Sequence, residues 1–296
     1  MSITTAYRSG FVALVGRPNV GKSTLLNRLL GEKIAITSDK PQTTRTRILG
    51  VKHFPGAQLV FLDTPGIHKP KFRLNERMVQ VALNVLDEVD LVLFLVEAME
   101  PPGPGDRFVL ERLKDRDVPV ILLINKVDLV QKPRLLPLID AYRGLHAFAE
   151  IVPISAKTGD GVDRVLELAL ARMPEGPPYF PDDVVTDQPM RTLAAEIIRE
   201  KILRKTRDEL PFAVAVGIES FIDEGRLARI AAIVYVEKES QKAIVIGTGG
   251  EVLKAVGTEA RIDMERLFDM KVFLQLWVKV KEGWREDEQM LAELGY

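Results

Sequence analysis

The chain has 296 residues, 46% hydrophobic and 28% charged, which suits a folded, core-bearing protein of about two domains. It contains no cysteine, which excludes disulfides and cysteine-ligated metals and fits a reducing compartment. A formal net charge of −1 gives no global sign of a nucleic-acid partner; the N-terminus lacks the long apolar core of a secretory signal, and the longest apolar run, Leu91 to Val96, is too short to span a bilayer.

In chain order, the apolar run at 11–15 leads into Gly16-Arg17-Pro18-Asn19-Val20-Gly21-Lys22-Ser23 and then a helical pattern at 24–30. Strand, glycine-bounded loop and helix with the spacing G-x-x-x-x-G-K-S form a phosphate-binding loop. Its backbone N–H groups and the positive end of the helix favour an anion. Lys22 places a charge on the β- and γ-phosphates, and the Ser23 hydroxyl is suited to ligate Mg²⁺. Further apolar runs at 59–62, 91–96, 120–124 and 151–154 alternate with helical patterns. Strands this uniformly apolar predict a parallel sheet buried on both faces, hence a doubly wound α/β fold with chemistry at the carboxyl ends of its strands.

Three strand ends carry such chemistry. Asp63-Thr64-Pro65-Gly66 follows the run at 59–62; Asp63 is placed to hold Mg²⁺, and Gly66 to approach a γ-phosphate through its N–H. Asn125-Lys126-Val127-Asp128 follows the run at 120–124. A carboxylate at Asp128 accepts two hydrogen bonds from guanine, a pair adenine lacks, while the stem of Lys126 lies over the purine. Ser155-Ala156-Lys157 follows the run at 151–154, with the Ala156 N–H available to the guanine O6.

These four stretches resemble, in unpermuted order, the G1, G3, G4 and G5 motifs of translation-factor-type GTPases. The resemblance implies GTP and GDP as ligands and Mg²⁺ as cofactor. It also implies a switch element between Ser23 and Asp63, where Pro41-Gln42-Thr43-Thr44-Arg45 lies in a polar, poorly periodic segment. Thr44 is the first choice to complete the Mg²⁺ shell with Ser23 and Asp63, and Thr43 the alternative. The chain departs from the family at Ile67, which stands where a water-orienting glutamine is usual and cannot polarise water, so hydrolysis requires another group or a partner. Asn19, in GTPases resembling this one, accompanies the use of K⁺ as a charge-stabilising element. The candidate catalytic set is Lys22, Thr44, Asn19 and Gly66, with Ile67 among the nucleotide contacts.

Proline density from 174 to 189 predicts an extended connector, giving a first domain at 1–175, a linker at 176–190 and a second domain at 191–296. The second domain reads as helix 191–210, strand 212–218, a turn at 223–226, strand 227–236, helix 240–246, Gly247-Thr248-Gly249-Gly250, helix 251–268 and strand 272–280. That is a smaller α+β unit of order αββααβ. Gly-x-x-Gly between two helices in this order resembles a type II KH domain, which implies single-stranded RNA held at Gly247, Thr248, Gly249 and Gly250, with Ile244, Ile246 and Val252 under the bases. From Asp182 onward, however, 17 Lys and Arg stand against 22 Asp and Glu, not a basic footprint; Arg199, Lys201, Arg204, Lys205 and Arg207 are its one basic cluster. The tail at 284–294 reads as a short amphipathic helix packed on the domain.

One such GTPase unit followed by a type II KH unit resembles the Era-type ribosome-assembly GTPases over nearly the whole chain. The resemblance implies a monomeric GTPase, cytoplasmic with some peripheral membrane association, that binds 16S rRNA near its 3′ end in assembly of the 30S subunit. The alternative from the residues is a signalling GTPase whose second domain binds protein; a tRNA-modification GTPase would need a folate-binding portion and a terminal cysteine motif, which this chain lacks.

Overall fold

The computed structural model describes residues 6–296 except 41, 71, 115, 207–209 and 211. Pro41 of the switch segment and residues 207–209, Arg207 of the basic cluster among them, therefore lie outside the described residues; the helix expected to reach 210 ends at Lys205, with Thr206 extended. Two compact units form: Met1–Ala35, Thr44–Pro70 and Glu76–Asp187 make one, and Ile36–Thr43, Lys71–Asn75 and Gln188–Tyr296 the other.

In chain order the first part of the molecule contains β1 (Arg8–Gly16), α1 (Lys22–Leu30), β2 (Ile48–Phe54), β3 (Ala57–Asp63), α2 (Arg73–Val85), β4 (Leu91–Glu97), α3 (Pro104–Leu113), β5 (Val120–Asn125), α4 (Leu135–Arg143), β6 (Glu150–Pro153) and α5 (Val162–Leu170). The sheet order is β2-β3-β1-β4-β5-β6. The apolar runs are continuous because both faces are covered. Val12 and Leu14 of β1 point with Leu93 and Leu123 into one core, while Ala13 and Val15 point with Phe94 and Leu122 into the other.

Strand β2 departs from the all-parallel expectation. It pairs antiparallel with β3 from Ile48↔Asp63 to Phe54↔Ala57, because only Pro55 and Gly56 connect the two, too few residues for a parallel crossover. Gly50, Lys52 and His53 break its apolar run, as suits an edge strand.

The proline-rich stretch is extended but is not a free spacer. Residues up to Asp187 belong to the first unit. The Gly176 N–H donates to the Tyr7 carbonyl at 3.0 Å and the Val51 N–H to that of Val185 at 2.8 Å. The buried Gln58 side chain accepts from the Tyr179 and Phe180 N–H groups at 2.8 and 3.1 Å. Prolines lack the N–H for a ladder of their own, so neighbouring side chains and strand edges supply the partners.

The second unit comprises α6 (Met190–Lys205), β7 (Ala215–Asp223), β8 (Leu227–Val236), α7 (Glu239–Ile246), α8 (Glu251–Phe268), β9 (Lys271–Val280) and α9 (Glu288–Glu293). Its sheet runs β7-β8-β9, with β7 antiparallel and β9 parallel to β8. Strand β7 begins three residues later than predicted. Ala213 and Val214 instead turn back on the Leu210 carbonyl, and the Ala213 carbonyl accepts the indole N–H of fully buried Trp284 at 3.0 Å.

Candidate nucleotide site and candidate RNA surface

The phosphate-binding loop joins β1 to α1 at the carboxyl edge of the sheet. Lys22 is buried, and its ammonium donates to the carbonyls of Gly16 and Arg17 at 3.2 and 2.9 Å. Burial pulls it down to about 8, against the opposing charge of Asp63. Val20 is buried, and Arg17 is anchored by the fully buried Asp106 of α3, at 2.7 Å.

Asp63 ends β3 fully buried. Burial pushes its carboxyl up to about 6, opposed by Lys22 and by hydrogen bonds from Ser23 and Thr44. Ser23 Oγ lies 2.6 Å from Asp63 Oδ2 and 2.7 Å from Thr44 Oγ1, while Asp63 Oδ1 is buried without a hydrogen-bond partner. Two hydroxyls and one carboxylate with an unused oxygen are a hard-oxygen donor set suited to Mg²⁺. Thr43 is not part of it: its hydroxyl donates to the Lys40 carbonyl at 2.7 Å.

Gly66 lies against the loop so closely that a Cβ would sit 2.5 Å from the Pro18 nitrogen, so no larger residue fits without moving backbone. The Thr64 hydroxyl donates to the Leu14 carbonyl at 2.8 Å and the Ile67 N–H to that of Gly16 at 3.1 Å; Pro65 between them is buried. Ile67 is itself fully buried in the core, so it has neither the chemistry nor the position to orient water. Asn19 is exposed in the left-handed region, φ 67°.

The base motifs converge. Asn125 donates to the Val20 carbonyl at 2.7 Å and accepts the Ala156 N–H at 2.9 Å, tying the loops after β1, β5 and β6 together. The Ser155 hydroxyl donates to Asp128 Oδ1 at 2.7 Å, fixing an exposed carboxylate. Lys126, at φ 68°, pairs with Glu97, and the Val127 N–H donates to the Ile154 carbonyl at 3.2 Å. The Lys157 carbonyl accepts from Arg28. Sequence reading missed Arg28, Glu97 and Asp106, which lie outside the motifs and support them.

In the second unit, Gly247, Gly249 and Gly250 all take positive φ, 74°, 59° and 83°, a loop only glycines adopt cheaply. Thr248 and Gly249 are exposed. A groove of about 420 Å³ runs from Gly250 between α8 and β9, lined by Leu253, Lys254, Gly257, Thr258, Arg261, Leu274 and Leu276. The residues expected under the bases are not among those lining this groove. Ile244 is exposed and Ile246 half-buried, neither in this groove, and Val252 packs beneath Gly247 against the core. Lys254, Thr258 and Arg261 of the groove stand at i, i+4 and i+7 on one face of α8.

The described members of the basic cluster all have acidic partners. Arg199 is fully buried, paired with Glu196 and donating to the carbonyls of Gln42 and Thr43. Lys201 pairs with Glu200 and Asp263, Arg204 with Glu200, and Lys205 with Glu259.

Residues 11–126 match the family described as 50S ribosome-binding GTPase, and residues 209–285 the KH domain. The GTPase Era of Geobacter metallireducens is 58% identical over 98% of this chain and 98% of its own length, and that of Staphylococcus haemolyticus 49% identical over 99% and 98%. A crystal structure of Era in complex with MgGDPNP and nucleotides 1506-1542 of 16S ribosomal RNA superposes with a TM-score of 0.95, at 43% identity over 98% of this chain and 99% of that one. A variant of Aquifex aeolicus Era bound to GDP·AlF4⁻ gives 0.94, at 44% identity over the same shares. By its motifs, its fold and its full-length similarity, the chain belongs to the Era family of GTPases.

Proposed function

We propose that this protein is a GTP-hydrolysing switch that binds 16S rRNA near its 3′ end and acts in assembly and maturation of the 30S subunit. The observation that carries the reading is the convergence of Ser23, Thr44 and Asp63 beside the phosphate-binding loop, in a chain whose second unit presents a glycine loop at the head of a groove. The similarity to Era bound to MgGDPNP and 16S rRNA supports it.

In this reading the loop N–H groups from Gly16 to Ser23 cradle the phosphates, and Lys22 exchanges its two carbonyl contacts for phosphate oxygens. Asp128 selects guanine, the Ala156 N–H meets its O6, and Lys126 covers its face. Ser23, Thr44 and Asp63 would hold Mg²⁺, which supplies charge neutralisation on the β- and γ-phosphates when bound. Water attacks the γ-phosphorus and GDP leaves, without a covalent intermediate. Gly66 offers its N–H to the γ-phosphate, and the water-orienting group is one other than Ile67. Asn19, exposed on the loop, is assigned to a K⁺ beside the β- and γ-phosphates; turnover is expected to be faster in K⁺ than in Na⁺ buffer, and equal rates would remove the ion.

The RNA contacts are assigned to Gly247–Gly250 and the groove continuing from Gly250. The protein is read as a cytoplasmic monomer with peripheral association at the inner face of the cell membrane. Peripheral is the form to test, because among the described residues no helix is long and apolar enough to cross a membrane. The deciding experiment measures binding of a strand matching the 16S 3′ end to protein loaded with GDP or a non-hydrolysable GTP analogue, with a scrambled strand and Gly250→Asp as controls. Tighter, sequence- and loop-dependent binding in the GTP form is expected. Absence of binding in both forms would return the second unit to a protein-binding role.

A further inference from the structure

We propose that the outward face of edge strand β9 is a second RNA-contact surface, where bases of the strand leaving the groove stack; this rests on the RNA-binding reading above. The strand alternates strictly. Val272, Leu274, Leu276, Val278 and Val280 face the core, and of these Leu274 and Leu276 also line the groove. Lys271, Phe273, Gln275, Trp277 and Lys279 face outward, and all five are exposed.

Phe273 and Trp277 are 46% and 44% exposed, unusual for two large rings about 13 Å apart on one strand face. Strand β9 is the last in its sheet, so a polymer leaving the groove crosses a single backbone to reach them.

The chemistry of the row selects the occupant. Cation, ring, amide, ring and cation in succession match a chain of flat bases joined by anionic phosphates. Arg229 of the neighbouring strand lies 5.6 Å from the Phe273 ring centre and adds a further cation. The pairs Lys279–Glu219 and Arg229–Glu224, at 3.5 and 2.9 Å, are about half exposed; such pairs are weak in water and yield to a phosphate.

The protein contains two tryptophans. Trp284 is fully buried and Trp277 exposed, so quenching on RNA addition reports Trp277. The full chain loaded with a GTP analogue is titrated with the 16S 3′ strand at lengths of about four and about twelve nucleotides, the shorter matching a KH loop alone. The longer strand is expected to quench the fluorescence, and Trp277→Ala or Phe273→Ala to weaken its binding about tenfold. Trp277→Phe restores most of the affinity, and the short strand binds wild type and variants alike without quenching. Full affinity of both alanine variants for the longer strand, without quenching in wild type, would overturn the assignment. So would quenching by phosphatidylglycerol vesicles in place of RNA. Failure of wild type to bind even the short strand would overturn the RNA reading itself, a result distinct from loss of the longer-strand increment alone.

Discussion

Lys22 and Asp63 are both buried, and each stays charged largely through the other. Asp63 titrates at about 6 in the fold against 3.8 in its ordinary state. Between those values the folded chain binds more protons than the unfolded one. The contribution of this carboxyl to nucleotide-free stability is therefore full below about pH 4 and is lost as pH rises through about 6. Metal binding runs the other way, because the proton competes for the same oxygens. The Mg²⁺ affinity of the GTP-analogue form should fall as pH drops into the range where Asp63 takes up its proton; Asp63→Asn should lower it throughout and flatten the profile in a Mg²⁺ titration. A pH-independent affinity between 5 and 7 would place the metal elsewhere.

At the same scale, Asp128 holds one oxygen on Ser155, and in the proposed reading its carboxylate meets the base. Asp128→Asn exchanges an acceptor for a donor. GTP affinity should fall by roughly 10⁴-fold, with xanthosine triphosphate gaining in its place, read in competition binding of the two nucleotides.

At the scale of elements, α6 shows what a charge count hides. Its arginines and lysines read as a basic cluster, yet within its own unit the helix turns them to carboxylates and to backbone carbonyls, those of Thr37, Gln42 and Thr43 among them. Glu200 accepts the Thr37 N–H at 2.9 Å, and Arg199 takes the two carbonyls before Thr44. Arg199→Met would leave a carboxylate and two carbonyls without a buried partner, and should destabilise the second unit by about 3–5 kcal/mol. Arg199→Lys should recover only part, since an ammonium cannot reproduce the planar fork. Urea unfolding followed by Trp284 emission measures both; an unchanged midpoint for Arg199→Met would show the network to be dispensable.

The same contrast explains what was legible in the sequence. Loops that hold phosphate or guanine need particular residues at fixed spacing, so Gly16 to Ser23 and Asn125 to Asp128 could be read directly. Strand β2, the docked proline stretch and the groove lining depend on partners far along the chain. Gln58 meets Tyr179, and Leu276 comes to line one groove with Leu253, only once the chain folds. Thr43 and Thr44 were indistinguishable in sequence because both are threonines in one loop; geometry separates them, one bonded to Lys40 and the other to Ser23.

For the whole molecule, the question is whether nucleotide and RNA are linked. Residues Ile36–Thr43 cluster with the second unit, while Thr44, the next residue, clusters with the first. Ordering Thr44 around a γ-phosphate and metal would therefore restrain a segment that α6 holds through Arg199, Glu200 and Arg204. If the GTP form binds the 16S 3′ strand more tightly than the GDP form by some factor, thermodynamics requires RNA to raise the preference for GTP over GDP by the same factor. A coupling in the usual range of about 5- to 150-fold is expected. Four dissociation constants close the cycle: RNA on each nucleotide form, and the ratio of GTP-analogue to GDP affinity with and without RNA. Thr44→Ala should bring both ratios toward one and lower GTP-analogue affinity more than GDP affinity, because the proposed metal role of its hydroxyl belongs to the γ-phosphate state. Ratios of one in the wild type would leave a GTPase and an RNA-binding unit sharing a chain without a switch between them, and ratios unchanged by Thr44→Ala would move the coupling to the segment around Asp63–Ile67.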